Sequence, residues 1–563
     1  MLDFANTKQL DNRITFTRST PAVYYDGKTT AMAEQNLTLQ SQTFNVSPWA
    51  VSNTTVTANA TTAPDGTNTA DKIVEDTADS AHAIYQLIGT TSGSCTFSVY
   101  AKADTRSWLN INTYVAGVRN NWFDLTNGVV GTIASGCTAS ITSVGNGWYR
   151  CSVTTTGGSP TYFELWLATG NNVTNYAGNG TSGLFVWGAQ IEARSTATAY
   201  TVTSTQAITN YIPVLLTAGG NQPRFDCNPT TGESLGLLIE EQRTNLATYS
   251  EDFSYYTGSG SITVNQGIAP NGTQTADLIT GTSDIYQTLV GSSSGTYSLS
   301  MYVRSITAPY FMLSFGYPSV QRVVFNLSNG SVSSTVGTNI TGSSISVGNN
   351  WYRLTIVGIS QGSILYNQFN SYASTTYNDK TTGALIWGAQ LEAGAFATSY
   401  IATTSASATR TADAASMTGV NFTSWFNNSE GTLYGEGGGK KEQGALATIN
   451  TANAYQNMIV LGTITPAVAF RMWANGSPEV DLGSVNAGTQ NRLSFGYATN
   501  NSAVSINGAT VLTDSNCIVP NLSSFSFFIG TGWDVNHNLC GTIKKLAYYP
   551  IRVTNTQLQA LTS

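Results

Sequence analysis

The sequence contains a duplication with a period of about 200 residues. Four pairs of segments match in the same order: APDGTNTADKI (63–73) with APNGTQTADLI (269–279), FDLTNGVV (123–130) with FNLSNGSV (325–332), VGNGWYR (144–150) with VGNNWYR (347–353), and WGAQIE (187–192) with WGAQLE (387–392). The offset shortens only from 206 (63 to 269) to 200 (187 to 387), so a few loop deletions account for it. Each copy is large enough to close its own core, unlike the roughly 20 to 50 residues of a solenoid repeat. The pattern predicts a string of separate domains.

Composition favours a neutral, turn-rich β protein. Charged residues make up 10% of the 563 residues, against roughly 25% in typical globular proteins. At roughly 150 residues per domain, the length predicts about four units, two of which are the copies. The net charge is -7, and no basic run exceeds the pairs Lys440-Lys441 and Lys544-Lys545. We therefore expect no nucleic-acid binding.

Strand-like alternation recurs through both copies. In residues 96–102 (TFSVYAK), the alternation places Phe97, Val99 and Ala101 on one face and the polar residues on the other. The counterpart, residues 298–304 (SLSMYVR), keeps this pattern. Asn-Gly and Gly-Asn turns, such as Asn127-Gly128, separate the segments. The pattern predicts antiparallel β-sandwiches.

The remaining segments differ from the copies in residue composition. Residues 211–245 contain Pro223, Pro229 and Gly232, which predict turns in a structured connector. From about Thr418 the chain turns to Gly-rich hairpins. A short C-terminal helix is predicted to begin at the N-cap Thr554, with Gln557 three residues on.

The six cysteines show no metal-binding spacing. In the second copy, Tyr297 and Leu354 stand where the first has Cys95 and Cys151, so the fold does not need sulfur there. The interpretation is buried free thiols. A disulfide between Cys137 and Cys151, or between Cys517 and Cys540, is the alternative.

No segment predicts secretion or a membrane span. The opening MLDFANTKQLDNR is charged and lacks the apolar region of a signal peptide. The most apolar run, residues 458–470, is interrupted by polar residues, Gly462 and Pro466, and is too short to cross a bilayer. We expect a soluble protein made in a host cytoplasm, without membrane insertion.

Several segments resemble virion proteins of tailed bacteriophages, especially tail-fibre and head-fibre proteins. They are the opening DFANTKQLDNRITFTRSTPAVYYDGK, the connector PRFDCNPTTGESLGLLIEEQRTNLATYSEDF, and the motifs WGAQIEA and WGAQLEAGAFATSYI. The copies resemble carbohydrate-binding-module jelly rolls. The C-terminal section, with NRLSFGYATNNSAVSINGA and GTIKKLAYYPIRVTNTQLQALTS, resembles a concanavalin A-like (laminin-G-like) lectin domain.

This resemblance implies an all-β chain of tandem antiparallel jelly-roll sandwiches followed by a concanavalin A-like sandwich. The implied domains are an N-terminal virion-docking segment (1–35), jelly-roll copy one (36–205), a structured connector (206–244), jelly-roll copy two (245–412) and a lectin domain (413–563). It implies a structural fibre or spike protein of the virion, on the tail rather than the capsid, that binds host surface polysaccharide. A capsid-decorating head fibre and a glycan depolymerase are the alternatives.

The expected partners are other virion proteins, through the N-terminal segment, and further copies of this chain. No heptad run predicts a coiled coil, so the expected homotrimer associates through sandwich faces and the N-terminal segment. A trimer raises avidity through effective concentration without new contacts.

Candidate catalytic residues are few. Glu479 and Asp481 begin the ExDxxE pattern of concanavalin A-like hydrolases, but Ser484 occupies the third acidic position and Pro478 predicts a turn. The two histidines, His82 and His537, are expected in exposed loops rather than as bases for a serine or cysteine nucleophile. The chain is therefore predicted not to be an enzyme.

Sugar binding needs aromatic platforms beside amides, carboxylates and hydroxyls. Tryptophans at matching positions of the two copies, Trp148, Trp187, Trp351 and Trp387, are interpreted as core. The candidates are aromatic residues that differ between the copies and residues in loops of the last domain. They are Trp108, Trp122, Trp166, Tyr310, Tyr317, Trp473, Trp533, Asp534 and Asn536, with Phe369 near a corresponding place in copy two.

Two acidic pairs have structural interpretations. Asp65 and Asp71 could join a calcium site, but Asn271 replaces Asp65 in the second copy, so turn hydrogen bonding is favoured and no cofactor is otherwise expected. Glu240-Glu241 beside Arg243 is interpreted as an ion pair that holds the connector.

Overall fold

The computed structural model describes residues 1–88, 93–115, 117–157, 160–258, 260–280, 284–290, 294–316, 321–360, 364–374, 383–441, 443–450, 456–464, 468–486, 488–532 and 537–563. The chain divides into two compact units. The copy-one unit consists of residues 32–211 and 265–268. The composite unit consists of residues 1–31, 212–264 and 269–563, and so contains the start of the chain, the connector, copy two and the C-terminal domain.

Most of the described residues lie in short strands. The N-terminal segment contains β1 (Leu2–Asp3), helix α1 (Phe4–Thr7), β2 (Thr15–Thr17) and β3 (Ala22–Asn36). Copy one contains β4 (Ala50–Ser52), β5 (Thr54–Thr61), β6 (Ala70–Glu75), β7 (Asp79–Ser80), β8 (His82–Leu87), β9 (Cys95–Ala103), β10 (Trp108–Tyr114), β11 (Asn120–Asp124), β12 (Val129–Ile133), β13 (Cys137–Gly145), β14 (Trp148–Thr155), β15 (Tyr162–Ala168), β16 (Tyr176–Ala177) and β17 (Gly183–Glu192). The connector contains β18 (Ile208–Ala218), β19 (Arg224–Cys227), β20 (Ser234–Ile239) and β21 (Arg243–Asn245).

The second half of the chain has the same character. Copy two contains a 3-10 helix (Phe253–Tyr255), β22 (Thr257–Gly258), β23 (Ser261–Gly267), β24 (Ala276–Thr280), β25 (Ile285–Val290), β26 (Gly295–Ser305), β27 (Tyr310–Gly316), β28 (Gln321–Asn326), β29 (Val332–Val336), β30 (Thr341–Gly348), β31 (Trp351–Ser360), β32 (Ile364–Tyr372), β33 (Ala384–Ala393) and β34 (Ala408–Arg410). The C-terminal domain contains β35 (Ala414–Met417), α2 (Val420–Thr423), β36 (Glu430–Gly439), β37 (Gly444–Asn450), β38 (Met458–Ile464), β39 (Val468–Ala474), β40 (Ser477–Ser484), β41 (Asn491–Ala498), β42 (Ser502–Ile506), β43 (Leu512–Asp514), β44 (Ser526–Ile529), β45 (Gly541–Tyr549) and α3 (Asn555–Thr562). Helix α3 begins with the predicted capping box of Thr554 and Gln557.

Copy one is a sandwich of two six-stranded sheets. The front sheet has the order β12-β11-β10-β15-β8-β4, and the back sheet has the order β13-β14-β9-β17-β6-β5. Neighbouring strands run antiparallel, as β10 does with β15 and β14 with β9. Between the sheets, Phe97 and Val99 of β9 share one core with Leu109, Ile111 and Leu165 of the front sheet, all fully buried. The inward face predicted for residues 96–102 is confirmed.

Copy two repeats this topology strand for strand. Its sheets have the orders β29-β28-β27-β32-β25-β22 and β30-β31-β26-β33-β24-β23, each position corresponding to one copy-one strand. Its own core contains Leu299, Met301 and Val303, the residues predicted to point inward. The duplication seen in the sequence is therefore a duplication of a whole sandwich.

The C-terminal sandwich is assembled from three separate stretches of the chain. One sheet has the order β19-β20-β45-β36-β41-β42-β43, with β1 also paired to β45, and the other has the order β2-β35-β44-β37-β38-β39-β40. Strands β1 and β2 come from the N-terminal segment, and β19 and β20 come from the connector. Phe4 and Leu237 from these stretches lie in the same core as Leu433 and Phe495.

The predicted fold class is thus confirmed: the chain is all-β, with tandem antiparallel sandwiches and a third sandwich at the C-terminal end.

The repeated WGAQ motif has the same structural role in both copies. Trp187 and Trp387 are 4% and 1% exposed, and each donates its Nε1–H to a threonine Oγ1, at 3.0 and 3.1 Å. The next residues, Gly188 and Gly388, have φ of 64° and 66°, a left-handed conformation that favours glycine. The other two shared tryptophans, Trp148 and Trp351, are also buried, so all four are core residues as predicted.

Five buried charged residues join distant parts of the composite unit. Asp413 accepts from Arg18 Nη1 at 2.9 Å and from Arg224 Nη2 at 2.6 Å. Glu240 accepts from Arg224 Nη1 at 2.9 Å, with Arg410 Nη2 at 3.6 Å. Burial raises the pKa of Glu240, but Arg410 and Arg224 outweigh it and hold that pKa well below its usual range.

The acidic doublet of the connector therefore divides between two sites. Glu241 pairs with Arg243, with Oε1 and Nη2 2.6 Å apart, which confirms the predicted ion pair. Glu240 instead points into the buried cluster. Each of the six cysteines is a thiol rather than half of a disulfide, and all but Cys137 are buried, in line with the prediction.

Candidate ligand-binding face

One surface of the copy-one front sheet brings together aromatic, amide and carboxylate side chains. The sequences WLNINTY in β10 and YFELWLA in β15 alternate, so their apolar residues Leu109, Ile111, Leu165 and Leu167 are at most 1% exposed. The residues between them point to the opposite side. We call this surface the aromatic face and define it by Tyr85, Trp108, Asn112, Tyr114, Tyr162, Glu164 and Trp166.

Strand register arranges the aromatic face in rows. Asn112 lies directly opposite Glu164, and Tyr114 lies opposite Tyr162. On the other side of β15, Tyr85 lies opposite Glu164. Residues directly opposite each other in antiparallel strands have Cβ atoms about 4.5 to 5.5 Å apart, so their side chains are in contact range.

Glu164 lies at the centre of the aromatic face. Its Oε2 accepts hydrogen bonds from Trp166 Nε1 at 2.8 Å and from Asn112 Nδ2 at 2.5 Å. Its Oε1 accepts no hydrogen bond from the residues that the structure describes. The carboxylate is therefore held in place by one oxygen while the other can accept from a ligand.

A buried amide ladder fixes the position of Asn112. Asn112 is fully buried, and its Oδ1 accepts from the backbone N–H of Arg119 at 2.9 Å. Beside it, Asn110 donates to Asn120 Oδ1 at 2.9 Å and accepts from the backbone N–H of Asn121 at 2.9 Å. With both its polar atoms engaged, Asn112 presents its amide to Glu164 in a single orientation.

Tyrosines and tryptophans flank the central carboxylate. At one end, the Tyr162 ring makes edge contacts with Tyr85 at 6.1 Å and with Tyr114 at 5.9 Å between ring centroids. At the other end lie Trp166 and Trp108, both partly exposed. Tyr162 and Trp166 are four residues apart on one strand, or roughly 13 Å, so the face is longer than a single sugar ring.

The tryptophan end depends on a glycine in the neighbouring strand β12. A Cβ atom added to Gly131 would lie 2.9 Å from the Trp108 ring and 3.1 Å from Trp122 Cβ. Only a residue without a side chain allows this approach. Trp122, a candidate from the sequence, lies in the outward row of Asn110 and Trp166. It is only 4% exposed and donates its Nε1–H to the carbonyl of Val173 at 3.2 Å, so it packs beside the face rather than forming part of its exposed surface.

This arrangement is chemically suited to sugars. Exposed aromatic rings offer planes for the C–H faces of a sugar ring, and a fixed carboxylate oxygen and amides offer partners for its hydroxyls. Trp108 and Trp166 were candidates from the sequence. Tyr85, Asn112, Tyr114, Tyr162 and Glu164 were missed, although the period-two alternation of β10 and β15 places four of them beside the tryptophans.

The equivalent surface of copy two is different. By register, Gln368 replaces Glu164, Asn370 replaces Trp166 and Val324 replaces Trp122. Gln368 and Asn370 both donate to Asp284, at 2.5 and 3.1 Å. Copy two therefore keeps the sheet but not the tryptophan platform.

The other candidates from the sequence lie apart from the aromatic face. Tyr310 packs against the buried residues Met312, Val324 and Tyr372 of copy two, and Trp473 packs against a small buried cluster of the C-terminal domain. Phe369 is fully buried, so its suggestion as a ligand residue is wrong. The candidates Tyr317, Trp533, Asp534 and Asn536 lie outside the described residues.

Two cavities of ligand size lie among the described residues of the composite unit. One, of about 360 Å³, is lined mainly by apolar residues of the C-terminal sandwich, among them Trp425, Leu461 and Phe527. The other, of about 400 Å³, is lined by Tyr25, Tyr302 and Arg353 among others. Neither contains a residue that the sequence analysis selects as a ligand candidate.

Both histidines differ from expectation. His82 is fully buried in β8, not exposed in a loop, with Nδ1 2.7 Å from the carbonyl of Asn53 and Nε2 3.2 Å from the carbonyl of Tyr176. His537 is 9% exposed, and its Nε2 is 2.7 Å from Gln443 Oε1. The predicted loop exposure is wrong because neighbouring backbone and amide groups cover both rings.

The acidic pattern of the C-terminal domain is occupied by structural contacts. Asp481 pairs with Arg471, with Oδ1 and Nε 2.6 Å apart, and Glu479 accepts from the backbone N–H of Ile518 at 3.1 Å. Pro478 does not form the expected turn but lies within β40.

The proposed calcium residues accept local hydrogen bonds. Asp65 accepts from the backbone N–H of Thr67 at 2.9 Å, as favoured from the sequence. Asp71 accepts from the backbone N–H groups of Phe44 and Asn59, and burial raises its pKa. Among the described residues, no group of three or more His, Cys, Asp or Glu is placed to hold a metal ion. No helix in the described part of the chain has the length and apolarity needed to cross a membrane.

Fold and face together define a modular β-sandwich protein with an aromatic surface on one module. No family model and no curated protein match the chain. Among solved structures, it is similar to the LG1-3 region of the laminin alpha2 chain, with 10% identity, a TM-score of 0.18 and coverage of 84% of this chain and 96% of that one. It is also similar to Trypanosoma rangeli sialidase in complex with sialic acid, with 10% identity, a TM-score of 0.21 and coverage of 92% and 84%.

The sialidase similarity corrects one prediction. The scarcity of candidate catalytic residues in the sequence predicts that the chain is not an enzyme, yet several of the similar structures are sialidases, which are glycoside hydrolases. The prediction is therefore wrong as a general exclusion of enzymes. At TM-scores near 0.2, these structures also give no argument for an activity.

Proposed function

We propose that the chain binds carbohydrate through the aromatic face of copy one. The observation that carries this proposal is the set of Trp166, Glu164 and Asn112: a partly exposed indole beside a carboxylate that is fixed through one oxygen and open at the other. Trp108 and the tyrosines Tyr85, Tyr114 and Tyr162 extend the surface on either side. An oligosaccharide is therefore a better fit than a monosaccharide.

We further propose that this binding serves a bacteriophage fibre or spike that contacts host surface polysaccharide. The resemblance of the opening, the connector and the WGAQ motifs to phage virion proteins supports this assignment. A position on the tail is proposed before a position on the capsid, with homotrimers giving avidity to weak single contacts. The N-terminal segment is the proposed contact with other virion proteins, and its residues 27–30 are exposed.

A glycan array of host surface polysaccharides, probed with the full-length chain, tests the binding proposal. Trp166→Ala should reduce binding about tenfold or more, because the stacking plane is lost and Glu164 loses a donor. The matched control is Asn370→Ala, at the equivalent position of copy two, which should leave binding unchanged. Equal binding by wild type, Trp166→Ala and Asn370→Ala would exclude the aromatic face as the glycan-binding site. Reducing-sugar release from the same polysaccharides distinguishes binding from cleavage.

Location needs a separate experiment. Particles labelled at this chain and imaged by electron microscopy should carry the label at the tail. Label on the capsid would favour the head-fibre alternative. Deleting residues 418–563 is a poor test of host adsorption, because the strands β1, β2, β19 and β20 would lose the sheets they belong to.

A further inference from the structure

We infer that the aromatic face selects glycans by charge. It binds glycans in which the sugar unit beside Glu164 is neutral or carries an amine. It excludes glycans in which that sugar unit carries a carboxylate, sulfate or phosphate. This inference rests on the proposed function and specifies its ligand class. It follows from the electrostatics of the aromatic face rather than from its shape.

The first observation is a carboxylate with an open oxygen at the centre of the face. Glu164 Oε2 is engaged by Trp166 and Asn112, while Oε1 accepts no hydrogen bond from the described residues. A carboxylate can only accept, so a ligand must offer it O–H or N–H groups. An anionic group on the ligand would meet Oε1 with repulsion and without a hydrogen bond.

The second observation is that none of the basic residues that the structure describes forms an ion pair with this carboxylate. Other carboxylates of the copy-one unit have basic partners: Glu75 pairs with Arg106 at 2.6 Å, and Asp104 pairs with Lys72 at 2.6 Å. Within β8, β10, β11 and β15, all of which the structure describes in full, no outward residue is Lys or Arg.

The basic residue next to the aromatic face does not reverse the negative charge of that face. Arg119 immediately precedes β11, and its Nη1 would be 3.3 Å from a Cβ atom at Gly136, in the loop after β12. The other carboxylate on the outward side, Asp124, is 7% exposed and accepts from the backbone N–H of Thr126 at 2.9 Å. The charge available to a ligand is therefore that of Glu164.

Copy two supplies the design of the test. In copy two, Gln368 occupies the position that corresponds to Glu164. Glu164→Gln therefore introduces into copy one a residue that the equivalent sheet of copy two already accommodates. A glutamine can still accept from Trp166 and Asn112 through its carbonyl oxygen, and it removes the negative charge. The change therefore alters charge with little change in shape.

The experiment uses β-1,4-linked hexasaccharides that share one backbone and differ in the group at C2 or C6. Cellohexaose and chitin hexamer are neutral, chitosan hexamer carries amines, and the C6-carboxylate form of cellohexaose is anionic. The corresponding set is added for any host polysaccharide bound in the first screen. Wild type should bind neutral or amine forms at least about tenfold more tightly than the carboxylate form. Glu164→Gln should narrow that ratio to about threefold or less by improving binding of the carboxylate form. Thermal unfolding of the variant, matched to wild type, excludes a folding defect.

Two results separate the failure of this inference from the failure of the proposed function. If acidic glycans bind as well as neutral ones, and Trp166→Ala abolishes that binding, the face binds sugar but the charge rule is overturned. If no probe and no host polysaccharide binds, or binding is unaffected by Trp166→Ala, the proposed function itself fails.

Discussion

Arg224 and Asp413 form a fully buried ion pair although 189 residues separate them: Nη2 and Oδ2 are 2.6 Å apart and both side chains are 0% exposed. Asp413 also pairs with Arg18, so one carboxylate connects the N-terminal segment, the connector and the residues that follow copy two. The same three stretches contribute the strands of the C-terminal sandwich. The composite unit is therefore expected to unfold as one body rather than as a string of independent beads.

Asp413→Ala should lower the free energy of unfolding of the composite unit by about 3 to 5 kcal/mol, because it leaves Arg18 and Arg224 buried without their partner. Chemical denaturation measures the change. The control is Asp481→Ala, which removes a more exposed ion pair with Arg471 and should cost about 1 kcal/mol or less. Equal losses from the two substitutions would contradict a special role for the buried cluster.

Phe4→Ala should destabilise the C-terminal sandwich even though residue 4 lies more than 400 residues before it in the sequence. Phe4 is fully buried in that core, and deleting such a ring costs about 3 to 5 kcal/mol. Hydrogen exchange should show loss of protection in β45, which pairs with β1. Val420→Ala, at a residue 78% exposed, should have little effect. Unchanged protection of β45 in Phe4→Ala would show that the N-terminal segment is dispensable for this sandwich.

Asp226 should make the composite unit less stable as the pH rises. Burial raises the pKa of this carboxyl from 3.8 to about 6 in the folded state, although a hydrogen bond from the backbone N–H of Tyr25 partly opposes the shift. Between about pH 4 and pH 6, the folded state holds a proton that the unfolded state has lost. The contribution of Asp226 to the free energy of unfolding therefore falls by about 3 kcal/mol across this window.

Asp226→Asn removes this dependence. Unfolding free energies should be measured for both proteins from pH 4 to pH 8. The free energy of unfolding of the variant, relative to wild type, should increase from about pH 4 to pH 6 and stay constant above that range. Glu240, whose pKa is lowered, contributes in the opposite direction in both proteins and cancels in the difference. Parallel curves for the two proteins would contradict the account.

Tyr162→Ala should shorten the glycan that the aromatic face can hold. Tyr162 lies at the tyrosine end, roughly 13 Å from Trp166 along β15. Affinity for a long oligosaccharide should fall about three- to tenfold, the amount expected from one aromatic contact, while affinity for a disaccharide stays the same. Isothermal titration calorimetry with the long oligosaccharide and with the disaccharide measures the two changes in affinity. An equal loss for both would place the binding site elsewhere on the face.

Local patterns were sufficient to predict much of this structure. The duplication, the alternation of residues 96–102 and the buried Trp187 and Trp387 all follow from spacing in the sequence. The aromatic face was partly visible in the same way, since Trp108 and Trp166 differ between the copies. Applying the same alternation to YFELWLA would also have placed Glu164 on the surface with Trp166.

Long-range pairing had no such signal. Leu2 pairs with Leu546, and nothing in either neighbourhood indicates the other, because strand pairing is set by tertiary packing rather than by local propensity. The burial of His82 was missed for a related reason: its two partners are backbone carbonyls of Asn53 and Tyr176, which any residue could supply. Glu240 and Glu241 are adjacent, and only the fold separates them.

A crystal structure of the chain with a bound host oligosaccharide would show whether the aromatic face of copy one is the sugar-binding site. We expect a sugar ring against the Trp166 indole, with a ligand hydroxyl or amine within hydrogen-bond distance of Glu164 Oε1. Density for the sugar in a cavity of the composite unit, on the copy-two sheet, or anywhere that leaves Trp166 and Glu164 untouched would contradict it.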